Sequence, residues 1–298
     1  MIKRTGVPMR SRALVGMGVG ALSLSVAPVL IDLSGTSPGT ASYLRCALAL
    51  PLLALLCAPE RRREGPPGAR HLALAALAGA LFAGDMLLWT AAIGEVGAGL
   101  STVLVNVQVV LVPLLAWLVD GERVTRRFLL WLGPLVVGVA LTGGVLSDAV
   151  GDEPLLGTVH ALLAALCYSG FLFLLRRGGL SGRVRQTYLT VTASAGLVSL
   201  GVGALWSGVT FAPGWAALGW LAGASLTSGV IGWLLVAVHS PRLASHVGAV
   251  LLLLTPAGAL ACGAAVLGER PTPLQLAGCA LLLASGYFAV RTSTTDDA

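Results

Sequence analysis

Polar residues interrupt this chain rarely, and where they do, they cluster. Between the clusters run ten apolar stretches, at 13–31, 39–58, 72–92, 97–119, 128–146, 155–175, 186–206, 215–238, 244–267 and 273–290. A helix rises 1.5 Å per residue, so about 20 apolar residues cross the hydrocarbon core of a bilayer. The pattern predicts an all-α membrane protein with ten transmembrane helices. The connections are short and rich in Gly, Pro and charge. None is long enough to hold a soluble domain, which excludes an appended enzyme or DNA-binding module.

The pattern is also written twice. VLVNVQVVLVPLLAWLVDGER, residues 103–123, is followed by a further apolar run. LLLLTPAGALACGAAVLGER, residues 251–270, is followed by another. The Gly-Glu-Arg triplets begin at Gly121 and Gly268, 147 positions apart, and the same offset matches Thr125 to Thr272 and Leu129 to Leu276. The expected units are 13–146 and 155–290, five spans each. An odd number of crossings turns the second unit upside down relative to the first, an architecture common among secondary transporters. One departure stands out: Val109 lies opposite Pro256, and the first unit's proline is displaced to Pro113. Any kink there should be displaced with it.

Composition narrows the class. Hydrophobic residues make up 56% and charged residues 11%, with a mean hydropathy of +0.88. A soluble protein of this length could not hide so much apolar surface. The net charge of +6 is carried in short basic clusters between apolar runs, unlike a nucleic-acid footprint. With the N-terminus in the cytoplasm, every Lys and Arg except Arg45 and Arg270 falls in an inner segment or at an inner span end, whereas the acidic residues divide evenly. That is the positive-inside bias, and it places both termini in the cytoplasm. The basic start (Lys3, Arg4, Arg10, Arg12) resembles a signal peptide. It lacks a clear cleavage pattern and reads as the first span, retained. Cys46, Cys57, Cys167, Cys262 and Cys279 all lie in apolar runs without a CxxC pair, so they suggest packing rather than a zinc or redox site. Gly16, Gly18 and Gly20 lack the preceding strand and the Lys-Ser/Thr of a phosphate loop. No cofactor and no ATP-driven mechanism is expected.

Together these residues resemble the EamA-type members of the drug/metabolite transporter superfamily. The resemblance rests on TPAGALACGAAVLGERPTPLQLAGCALLLASG in the second unit and WTAAIGEVGAGLSTVLVNVQVVLVPLLAWLVDGERVT in the first. SPGTASYLRCALAL is similar to the family's second helix, with Arg45 at its arginine position, and HALLAALCYSGFLFLLRR to the sixth. The resemblance implies a secondary transporter of the cytoplasmic membrane, built from two inverted five-helix EamA repeats. It implies export or exchange of small metabolites, amino acids or drugs, without fixing one substrate. The partners expected are a small-molecule substrate, the lipid bilayer and protons. An uncoupled facilitator or importer, a membrane enzyme and a non-transporting scaffold are the rival readings. Against the enzyme, Asp85 has no second intramembrane carboxylate and no His pair has metal-ligand spacing.

Candidate chemistry is sparse. Asp85 is the one carboxylate placed within a span, where it costs about 2.5–3.5 kcal/mol on the insertion scale. It reads either as a proton-coupling or cation-binding group or as a structural aspartate bonded to a neighbouring helix. Trp89 shares its face; Trp233 is the counterpart of Trp89 in the second unit, and by that alignment Gly229 is the twin of Asp85. Arg45 lies about 9 Å from the outer end of its helix. It is expected to snorkel to the interface, the alternative being a pair with Asp85 or a substrate anion. Asn106, sharing a face with Thr102, could bond a substrate or a neighbouring helix. Tyr168 is a cavity candidate, while His160 on the same face reads as a wetted helix-end histidine. The stripes Thr192, Gly196, Ser199, Gly203 and Ser225, Ser228, Gly232 read as helix packing. Trp117, Trp131, Trp206, Trp215 and Trp220 read as interface anchors. Glu122 and Glu269 read as caps or ion pairs at the membrane surface.

Overall fold

Every apolar stretch that can be followed folds as helix. The computed structural model describes residues 9–121, 125–144, 153–177, 183–239 and 251–294, and no strand occurs among them. In order they are α1 (Met9–Leu33), α2 (Pro38–Glu64), α3 (Ala69–Val96), α4 (Ala98–Val105), α5 (Gln108–Asp120), α6 (Arg126–Thr142), α7 (Pro154–Arg177) and α8 (Val184–Trp206). Then come α9 (Trp215–Ala224), a π-helical stretch (Ser225–Gly232), α10 (Trp233–His239), α11 (Leu254–Cys262), a second π stretch (Gly263–Leu267) and α12 (Pro273–Thr294). Among the described residues, seven continuous stretches are long and apolar enough to cross a membrane. The expected spans 128–146, 244–267 and 273–290 are met by shorter apolar helices: α6 of 17 residues, Leu254–Leu267 and Pro273–Ala289. Parts of the first two expectations, 145–146 and 244–250, lie outside the described residues.

Small residues set the packing. Along α2 and α8, Gly39 meets Gly203, Cys46 meets Gly196, and the Arg185 side chain reaches the Leu56 carbonyl, so the two helices run antiparallel. Along α6 and α12, Trp131 stacks on Phe288 and Gly138 faces Leu282, again antiparallel. The 147-residue offset carries α2 onto α8 and α6 onto α12. Images that lie side by side and point opposite ways are what an inverted duplication requires. In the same sense α3 lies along α7, with Gly84 on Cys167. α1 lies along α10, with Gly16 on His239 and Gly20 on Leu235; these glycines serve close packing, as their sequence context suggests. A Cβ on Gly203 would stand 2.6 Å from the Gly39 Cα, backbone that cannot swing aside. Gly203→Val is therefore expected to cost at the upper end of the roughly 1–3 kcal/mol of overpacking, well above the few tenths of a kcal/mol by which valine exceeds glycine in helix propensity. A thermal-unfolding midpoint in detergent that stays unchanged would contradict this contact.

The geometry explains the repeated fingerprint. Gly121 (φ 69°) and Gly268 (φ 71°) both close a helix in the left-handed region, which favours glycine. Thr125 then opens α6 by accepting the Phe128 N–H at 3.1 Å. Its twin Thr272 opens α12 in a reciprocal cap, accepting from Gln275 N–H at 3.2 Å while Gln275 Oε1 accepts from Thr272 N–H at 3.0 Å. Glu122, expected as a cap, lies outside the described residues.

The expected displacement of the kink is not found. The first unit breaks at Asn106–Val107, between α4 and α5, and the second at Leu253. These are the same repeat position, 147 apart. Pro113 sits inside α5 without interrupting it, and Pro256 lies in the first turn of α11, where no backbone donor is missed. The break belongs to the duplicated unit, whereas the prolines differ between its copies. In the first unit Asn106 secures it, its amide donating to the Thr102 carbonyl at 2.8 Å.

Candidate functional site

Polar groups with nowhere to go mark the middle of the bundle. α2, α3, α8 and the π stretch enclose a cavity of about 20 Å³, lined by Arg45, Cys46, Ala49, Phe82, Met86, Tyr188, Thr192, Ser225, Ser228, Gly229 and Trp233. That volume holds about one water, so the site is closed around its centre. The π stretch presents Ser225, Ser228 and Gly229 to the cavity, and such insertions recur at functional sites.

Arg45 dominates this space. It is 7% exposed, so it does not snorkel to the interface as its position in the helix suggests. Instead Nη2 donates to Ser228 Oγ at a long 3.4 Å, and the guanidinium carbon lies 5.8 Å from the centre of the Trp89 ring. Nε and Nη1 have no hydrogen-bond partner among the described residues. Ser225 Oγ donates to the Arg45 carbonyl at 2.8 Å. The second serine stripe, expected as plain packing, therefore faces the cavity and holds Arg45 in place. Packing holds for Gly196 and Gly203 of the other stripe, but Thr192 also lines the cavity.

Asp85 is 6% exposed on α3, between the cavity-lining Phe82 and Met86 of the same face. It bonds no neighbouring helix among the described residues. Its charge lies within electrostatic reach of Arg45 and of Cys167 and Tyr168 on α7, without an ion pair to Arg45. Behind it stands an aromatic cluster. Phe82 stacks on Phe171 at 4.8 Å, Tyr168 lies 5.8 Å from both Phe171 and Trp233, and Trp233 meets Phe82 edge-on at 6.4 Å. The structure thus gathers Asp85, Trp89, Tyr168, Trp233 and Arg45 in one neighbourhood. Of these, Arg45 and Trp233 line the cavity; Asp85, Trp89 and Tyr168 lie beside it, and Asn106 is not in its lining, its amide being spent on its own helix. Phe82, Phe171 and the serines were not legible as site residues, because an isolated apolar or small residue in a span carries no signal of which way it faces.

The two ends of the bundle differ. Toward the arginine-rich end, Pro59, Glu60, Arg63, Glu64, Val184, Arg185, Leu234 and Val238 line a vestibule of about 340 Å³. Between vestibule and cavity lies an apolar plug of Ala49, Leu53 and Val230 with Tyr188, Leu189 and Leu234. Glu60 caps the start of α8, accepting from Gln186 N–H at 2.9 Å, and Arg183 pairs with Glu64 at 3.4 Å.

At the other end the halves are tied together. Glu269 reaches across to the start of α4, where its carboxylate accepts from Ala98 N–H at 2.5 Å and Gly99 N–H at 3.1 Å. Gly97, at φ 94°, permits this approach, since a Cβ there would meet the carboxylate. The expected cap is thus found. His160 is not a solitary wetted histidine: Nδ1 lies 2.7 Å from Glu95 Oε2, and the ring packs edge-on against Trp206. Ser37 Oγ donates to Gly208 O at 2.8 Å and Ser207 Oγ accepts from Gly39 N–H at 2.9 Å, joining the halves again.

Burial pushes the Glu269 carboxyl above its usual range; the backbone donors of Gly99 and Ala98 oppose the shift and the charge of Asp32 adds to it. A carboxyl whose pKa is higher folded than unfolded binds its proton more tightly in the folded protein. Stability from this group is therefore gained as pH falls through the raised value and lost as pH rises. Glu269→Gln is expected to flatten that slope in thermal-unfolding midpoints measured above pH 4.5; an identical slope in variant and wild type would contradict it.

The family model described as "EamA-like transporter family" matches this chain twice, over residues 12–144 and 155–291. No curated protein matches. A solved structure, described only as the crystal structure of a protein, is similar with a TM-score of 0.60 at 16% identity, over 97% of this chain and 99% of that one. At such identity the likeness speaks for the fold alone.

Proposed function

Because the chain belongs to the EamA-like transporter family, we propose that it is a secondary transporter that exports a small metabolite, amino acid or drug-like compound across the cytoplasmic membrane. It works by alternating access between two inverted five-helix repeats, with a proton carried by Asp85 as the coupling ion. The observation that carries this reading is a buried cation, Arg45, lining a cavity between helices from both halves, with the buried carboxylate of Asp85 beside that cavity, within electrostatic reach of Arg45 but not ion-paired to it. Intramembrane ionisable groups are costly, and they mark substrate and proton paths.

Polar contacts between the two halves close both sides, and a carrier must break them in turn. Toward the arginine-rich end, taken as cytoplasmic, a vestibule leads to the apolar cluster around Leu53, and opening there also releases the Glu60 cap on α8 and the Arg183–Glu64 pair. Toward the far end, closure relies on the Glu269 cap and the Ser37–Gly208 contact. Opening there requires those bonds to exchange with water. The antiparallel pairs α2/α8 and α6/α12 join like elements of the two halves, so rocking about them exchanges the two openings.

Purified protein screened by thermal shift against amino acids and small metabolites, then reconstituted with each hit in sealed vesicles, tests this. The expected result is solute movement that accelerates under an imposed pH gradient. Hits that bind yet never cross the membrane would overturn it.

A further inference from the structure

A guanidinium carries five N–H donors. That of Arg45 is nine-tenths buried, and the structure gives it one long bond to Ser228 and the face of Trp89. Nε and Nη1 have no hydrogen-bond partner among the described residues, and Arg45 lines the cavity. A buried charge left in this state is strongly unfavourable unless something pairs with it. Asp85 does not, since no ion pair joins the two.

We infer that the transported solute bears a carboxylate, held by Arg45, with an apolar or aromatic body against Phe82, Met86 and Trp233. The inference rests on reading this cavity as the solute site. Arg45 is the basic side chain among the lining residues, and its planar fork matches a carboxylate with two parallel bonds. A cationic solute would meet the guanidinium's own charge. A phosphate ester would bring a second negative charge that one arginine leaves uncompensated in a low-dielectric site. The remaining wall is apolar and aromatic, which suits a hydrocarbon body. The present volume is too small for such a solute, so it binds as the apolar plug opens and the cavity widens.

Three probes with one body separate the possibilities: 3-phenylpropionate, phenylalanine and phenethylamine, titrated on detergent-purified protein by thermal shift and tryptophan fluorescence. The carboxylate-bearing probes, singly or both, are expected to bind while phenethylamine does not. Arg45→Gln should weaken that binding about 10- to 100-fold, the loss of a charged hydrogen-bonded contact, and Arg45→Lys should restore part of it. Should Arg45→Gln fail to fold, the wild-type comparison decides alone. Binding of the amine equal to that of the acids, binding by none of the three, or full affinity in a folded Arg45→Gln protein would overturn the inference. If vesicles then still transport an amine or neutral solute, the transporter reading stands and the carboxylate assignment alone fails.

Discussion

Asp85→Asn is expected to leave the protein folded and abolish transport driven by a pH gradient, while exchange of labelled for unlabelled solute continues. The substitution is nearly isosteric and removes a charge that is 6% exposed and bonds no neighbouring helix among the described residues. Its ionised form is costly inside a membrane, about 2.5–3.5 kcal/mol on the insertion scale, so the amide should not lower stability. What it cannot do is gain and lose a proton between the two faces of the cycle. The structural reading makes the opposite forecast: a lowered unfolding midpoint with coupling intact. Gradient-driven uptake and counterflow in the same vesicles separate the two, and unchanged gradient-driven uptake would reject the coupling role.

Gly229→Leu is expected to stop transport in every mode, counterflow included, without unfolding the protein. A Cβ at Gly229 would meet the Ala49 Cβ and Ser225 Oγ at 3.8 Å each, ordinary contact distances, so the first added atom fits. The remaining atoms must enter a cavity of about 20 Å³. When Trp89 is aligned with Trp233, Gly229 stands opposite Asp85, so in that register the second half contributes room where its twin contributes charge. Transport at wild-type rate in the leucine variant would place the path elsewhere.

Much of the architecture is legible in the sequence because the bilayer imposes a coarse rule. Long apolar runs become helices, and the glycine and threonine of the repeated fingerprint end one helix and cap the next in both copies because left-handed glycine and threonine caps act locally. What fails is what depends on neighbours. Proline suggests a displaced kink, yet the break recurs at Asn106 and Leu253, where tertiary packing shared by both copies outweighs a local residue. Arg45 suggests snorkelling from its depth in one helix, because its burial is created by α8 and the π stretch, far away in sequence. The π stretch itself has no sequence signature, and with it the cavity-facing role of Ser225 and Ser228 goes unread. The contact of His160 with Glu95 goes unread for the same reason: its partner lies 65 residues away on α3. Of the residues named from sequence, Arg45 and Trp233 line the cavity, while Asp85 and Tyr168 are buried beside it, where an ionisable or amphipathic group in a span has few other places to go.

Cys46 offers the most direct test of the central claim, since it lines the cavity and needs no known solute. In a variant keeping Cys46 as its sole cysteine, a membrane-impermeant thiol reagent is applied to sealed right-side-out and inside-out vesicles under pH gradients of either polarity. Alternating access predicts labelling from both faces, with the gradient shifting the balance between them. Labelling from one face alone, or from neither, under every gradient would contradict it.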